Sequence, residues 1–208
     1  MSKQLVVNGR TILVEEQDVD EVCAMFKENI IIDSEEGWRS KEEIEKYCAS
    51  TFIDKARHYL SLAPPDLTQC SEKIWLAAVV AVKEAFLSSG AIDLKSHKSL
   101  SFFCDVALDS YDVPRSQFRR LTRAWIKAEK MHEDTYGGGN FSPSKYSSVI
   151  SHVQTFVNEF SKIDRKKLWS EFSKSFLAGT DPEVQIKKEK HTVKLGGVSY
   201  KCDYSVYV

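Results

Sequence analysis

Between Leu67 and Ser88 the chain carries apolar residues around much of a helix circumference. Ile74, Ala77, Ala78, Ala81, Val82, Ala85 and Phe86 form one stripe, and Trp75 and Val79 widen it. A helix this apolar is stable in water only when neighbours cover it, so the segment predicts the centre of a helical bundle. The small alanines predict close approach of one of those neighbours. Gly90 ends the segment.

The rest of the chain supplies the covering elements. Val19, Val22, Cys23, Phe26 and Ile30 fall at helical spacing. Ser40 with Glu43 forms a capping box, which predicts a helix starting at Lys41. Its apolar face holds Ile44, Tyr47, Cys48, Phe52, Ala56, Tyr59 and Leu60, and Pro64-Pro65 stops it. Further helices are predicted over 96–110, with Leu100, Phe103, Cys104, Ala107 and Leu108 inward, and from Pro114 as a first-turn residue to Tyr136. The latter carries Phe118, Leu121, Trp125, Ala128, Met131 and His132, and Gly137-Gly138-Gly139 breaks it. Ser142-Pro143 restarts a helix that ends near Phe160, and Leu168, Phe172 and Phe176 mark a shorter one over 165–177.

At both ends the period changes to two. Leu5-Val6-Val7 and Thr11-Ile12-Leu13-Val14 flank Asn8-Gly9, a strong hairpin signal because both turn residues tolerate positive φ. Val184, Ile186, His191, Val193 and Leu195 alternate with polar neighbours, and Gly196-Gly197 leads to Val198, Tyr200, Cys202, Tyr204 and Val206 at the same spacing. A lone hairpin is marginal in water, so the two are expected to pair into one small antiparallel element or to pack on the bundle. The fold class is therefore mainly α, an antiparallel helical bundle with a small β element. The expected organisation is residues 1–50 as a hairpin and helices, 51–163 as the bundle, and 164–208 as a helix and hairpin, in one compact unit.

Charge and cysteine usage narrow the function. Lys and Arg number 29 against 30 Asp and Glu, a net charge of −1, which gives no electrostatic reason for broad binding to nucleic acid or to an anionic membrane. The longest apolar run, Ile74 to Val82, lies between Lys73 and Lys83 and falls well short of the about 20 residues needed to span a bilayer. The N-terminus has no apolar signal region. Cysteines at 23, 48, 70, 104 and 202 are odd in number and include no Cys-x-x-Cys pair, as expected of free thiols in a reducing cytoplasm. Lys187-Lys188-Glu189-Lys190 fits an exposed strand edge.

Site chemistry is sparse. His58, His97, His132, His152 and His191 include no pair at metal-ligand spacing, so neither metal nor cofactor is expected. His97 sits at a helix start, where it can bond local backbone, and His152 shares no turn with an identifiable carboxylate. The triple glycine lacks the Lys-Ser or Lys-Thr that closes a phosphate loop, and no Gly-x-Ser-x-Gly elbow exists. Arg119, Arg120, Arg123, Lys127 and Lys130 make a basic stripe with steps of one helical turn, able to hold an anion or RNA phosphate. The plainer reading is a solvated face balanced by Glu129, Glu133 and Asp134.

Two segments taken together carry a resemblance: Ser71-Glu72-Lys73-Ile74-Trp75-Leu76-Ala77-Ala78, and Ala128-Glu129-Lys130-Met131-His132-Glu133-Asp134-Thr135-Tyr136, with Ser96-His97 between them. These resemble the PaREP family of archaeal helical proteins, related to HEPN domains, over residues 52–162, about half of the chain. The resemblance implies an antiparallel, often dimeric, helical bundle. It also implies a metal-independent ribonuclease centre of Arg, a short polar spacer and His near a dimer interface, which points to His132. Five positions before it stands Lys127, and the nearest upstream arginine, Arg123, is too distant for that pattern. Lysine keeps the charge and loses the bidentate fork, so the chain departs from the ribonuclease pattern at its centre.

The leading expectation is accordingly a non-catalytic cytoplasmic interaction module of HEPN-like type. It would be homo-oligomeric through an apolar bundle face and would bind a protein, RNA or a nucleotide, with no membrane contact. Arg119, Arg123, His97, Glu72 and Lys73 are the candidate ligand-binding residues. The alternative is a ribonuclease or nucleotide-binding enzyme using His132 with Lys127, Arg123 and His97 in one cleft. A third option is a scaffold whose terminal sheet extends a partner's sheet.

Overall fold

The computed structural model describes residues 2–7, 10–15, 30–31, 48–137, 143–178 and 183–208. The chain divides into two compact units, Met1–Lys46 and Tyr47–Val208.

In the first unit, β1 (Ser2–Val7) and β2 (Arg10–Glu15) pair antiparallel from Ser2↔Glu15 to Val7↔Arg10. This is the hairpin register that the alternating residues require; the Asn8-Gly9 connection lies outside the described residues. A short β3 (Ile30–Ile31) pairs antiparallel with the other side of β1. Ile30 therefore belongs to a strand, not to the end of a helix as its spacing suggests. The remainder of that helix, and the capping box at Ser40, lie outside the described residues.

The second unit opens with α1 (Ala49–Ser61), whose N-cap Cys48 has extended backbone (φ −82, ψ 168). A helix running unbroken from Lys41 through Cys48 is thereby corrected: the described helix begins eight residues later. Its centre is α2 (Leu67–Gly90), capped by Asp66, whose carboxylate accepts from Gln69 N. α2 packs on α1, on α3 (His97–Ser110), on α4 (Arg115–Gly137), on α5 (Pro143–Phe160) and on α6 (Arg165–Phe172). That position follows from its stripe: Ile74, Ala77, Ala78, Val82, Ala85 and Phe86 have no exposed surface. The two indoles predicted inside are inside, Trp75 at 4% and Trp125 at 3% exposure, and their rings lie 5.0 Å apart. Pro114 accepts the first α4 bonds from Gln117 N and Phe118 N, so it caps the helix and does not occupy its first turn. α6 runs on into a π-helical turn, Ser173–Leu177.

The sheet differs from expectation. β5 (Gln185–Leu195) and β6 (Val198–Tyr207) form the predicted antiparallel hairpin, with Gly196 and Gly197 at φ +60 and +81 in a two-residue turn that only glycine enters without strain. The third strand is β4 (Ile92–Leu94), parallel to β6, in the order β4-β6-β5. The sheet is mixed and not purely antiparallel, and the N-terminal strands belong to a separate sheet of order β2-β1-β3. The reason is local. Ala91 takes the left-handed conformation at the end of α2 (φ 58) and turns the chain so that its carbonyl accepts from Asp203 N and Tyr204 N. β6 then finds its second partner inside the bundle.

One glycine decides a contact. At Gly90 a Cβ would stand 1.9 Å from Trp169 Cε3, so the α6 indole lies directly on the α2 backbone. Lys187, Lys188, Glu189 and Lys190 are exposed on the edge strand β5, as expected of a charged edge that resists strand addition. Cys70, Cys104 and Cys202 are buried free thiols and Cys48 is an exposed one; Cys23 lies outside the described residues. Among the described residues no helix is long and apolar enough to cross a membrane. The large apolar residues left exposed are Leu62, Ile126 and Val198, on three different parts of the unit.

Candidate functional site

Three side-chain clusters stand out in the second unit. The first lies between α4 and α5. Helical spacing puts Arg119, Arg123 and Lys127 in steps of one turn, about 6 Å apart along the axis. With Ser116, Arg120 and His152 of α5 they line a cleft of about 490 Å³. Lys127 Nζ stands 3.4 Å from His152 Nδ1, which accepts as a neutral imidazole. Burial, and then the charges of Lys127 and Arg120, hold the His152 pKa below the ordinary histidine value. Among the described residues no carboxylate forms an ion pair with Arg119, Arg120, Arg123 or Lys127.

Among the described residues, the acids expected to balance this stripe form an ion pair only with its last member, Lys130. Glu129 accepts from Ser101 Oγ of α3 at 2.6 Å, and Asp134 pairs with Lys130 at 3.4 Å. Glu129 also lies near Asp105 of α3, whose pKa is raised by burial and by Asp109 and Glu129. Glu129 thus serves the α3 side of α4, while Arg119, Arg123 and Lys127 line its α5 side. Glu159 of α5 lies within the field of Arg120; the Lys162 ammonium and the Tyr111 hydroxyl hold its pKa low, and Arg120 adds to the effect.

The second cluster brings together Glu72, His97 and His132, residues singled out from three separate segments. Trp75 gathers them. Its indole stacks on His97 at 4.7 Å and on His132 at 5.5 Å, and the two imidazoles lie 5.4 Å apart. His132 Nδ1 bonds Glu72 Oε1 at 2.8 Å, with both side chains 21% exposed. The carboxylate fixes the orientation of the ring. Lys73 is half-buried on the next position of α2. Lys127 and Arg123 open onto the α5 cleft, whereas His132 faces α2, because five and nine residues along a helix turn a side chain to a different face.

The third cluster was not anticipated. Asp93 of β4 is 3% exposed and meets Lys95 at 2.5 Å, His191 of β5 at 2.9 Å and Lys83 of α2 at 4.0 Å. Burial pushes the Asp93 carboxyl up, but the bonds from Lys95 and His191 and the Lys83 charge outweigh it and leave the pKa below the ordinary aspartate value. The signal was a lone carboxylate between Ile92 and Leu94, both buried. This cluster ties β4, β5 and α2 together across β6 and has the character of a structural clamp. Among the described residues no group of three His, Cys, Asp or Glu side chains could hold a metal ion.

His152 and Lys145 were also missed as site residues. Their signal is the polar seam Lys145, Ser148 and His152 at helical spacing beside the inward-facing Val149 and Val153. Comparison with protein-family models, with curated proteins and with solved structures gives no match for this chain.

Proposed function

We propose that the chain is a non-catalytic, intracellular HEPN-like binding module that holds the phosphates of single-stranded RNA between α4 and α5. The observation that carries this reading is the row Arg119, Arg123 and Lys127, without carboxylate partners among the described residues, opposite His152 in one cleft. Its step of about 6 Å is comparable to the step between phosphates along a strand. Guanidinium forks bind phosphate bidentately. The near-neutral charge of the chain argued only against a broad basic surface, and this surface is local.

The test is fluorescence anisotropy with a labelled RNA decamer. Arg123→Ala and Lys127→Ala should each weaken binding severalfold across all sequences and reduce the salt slope by roughly 0.7 per lost contact. Unchanged affinity in the double variant would sink the reading.

One observation favours a second reading. The Glu72–His132 pair with His97 beside it is an acid–base arrangement suited to metal-independent RNA cleavage, one imidazole taking the 2′-hydroxyl proton and the other protonating the leaving oxygen. If this is the activity, clean protein cuts single-stranded RNA in a chelator and His132→Ala does not. An uncut substrate at high protein concentration discards it.

A further inference from the structure

We infer that the α4–α5 site takes a nucleobase as well as phosphates. This rests on the phosphate reading above. Beyond Lys127 the cleft continues into a second hollow of about 250 Å³, and Lys127 lines both. Its floor is apolar: Met131 is 3% and Val149 8% exposed. Its rim carries Lys127, Lys130, Lys145 and Ser148.

Each feature points to a nucleotide unit. Met131 follows Lys127 by one turn, about 6 Å along α4, the scale on which a base stands away from its phosphate. A thioether and a valine face offer a polarizable, adaptable floor to a planar ring. The rim ammoniums are donors only, and Ser148 is the one rim side chain that can also accept. Lys130 has Asp134 as a partner, while Lys127 and Lys145 form no ion pair among the described residues. Every base offers ring-nitrogen or carbonyl acceptors to these donors, and a ring face to the apolar floor.

The experiment compares labelled single-stranded decamers of equal charge at one salt concentration: oligouridylate, alternating guanylate–uridylate, oligoadenylate, oligocytidylate and an abasic ribose-phosphate chain. The four base-bearing decamers should bind about tenfold more tightly than the abasic chain, a difference within the range of one base contact. Lys145→Ala and Ser148→Ala, both at exposed positions, should erase that preference while the abasic chain binds as before. Equal binding of all five decamers overturns the base inference and leaves the phosphate reading standing. No binding of any decamer overturns both. Tighter binding to phosphatidylserine vesicles, with displacement of the RNA, overturns both in favour of a lipid headgroup.

Discussion

Asp93 shows how one buried carboxylate is made tolerable. An unpaired charge at 3% exposure would be too costly to keep, and Lys95, His191 and Lys83 offset it from three elements. Its pKa lies below the unfolded value of 3.8, so the stability it supplies is present above that pH and is lost as pH falls through the folded pKa. Asp93→Asn should cost about 2 kcal/mol at neutral pH. In urea unfolding, the gap between the two proteins should then close below the ordinary aspartate range. A gap that persists in acid would show that the clamp works through shape and not charge. His152 carries the opposite sign. Its pKa is depressed by burial and by its cationic neighbours, and a bound phosphate offsets those neighbours and raises it. Binding therefore takes up a proton, and RNA affinity should rise as pH falls toward 6 by more than in His152→Gln, as seen in anisotropy titrations at constant salt.

At the scale of elements, periodicity located α2 to α5 to within a residue or two, because each buries one continuous stripe. The central place of α2 was legible in Trp75, Val79 and the alanines. Three things were not. A three-residue strand such as β4 has no period to read, and it exists because β6 lies beside it. The start of α1 was misplaced because Cys48, which fits the apolar helical spacing, takes extended backbone as the N-cap. The site was half legible: Glu72, His97 and His132 were named, but their meeting around Trp75 depends on how α2, α3 and α4 pack. The hairpin has become part of the core. Ser99 Oγ accepts from Val208 N, Lys95 N bonds Val206 O, and Val206 is fully buried. Removing residues 184–208 should expose Ile92 and Leu94 and lower the thermal midpoint by well over 5 °C. A midpoint unchanged by circular dichroism would mean that the helices stand without the sheet.

At the scale of the whole molecule, 29 basic and 30 acidic side chains nearly cancel, and the sum conceals their arrangement. In the second unit Arg119, Arg123 and Lys127 line the α4–α5 cleft, while Glu129 is drawn to α3, where Asp105 and Asp109 join it. Attraction for a strand is then short in range, fading within a Debye length of about 8 Å at physiological salt. Non-specific affinity should accordingly fall steeply between dilute and physiological buffer. The cations lining the α4–α5 cleft therefore form a local basic patch on a chain of net charge −1. On a phosphocellulose column at neutral pH and low ionic strength, a chain of that net charge spread evenly would wash through, and this one should stay behind, held by that patch.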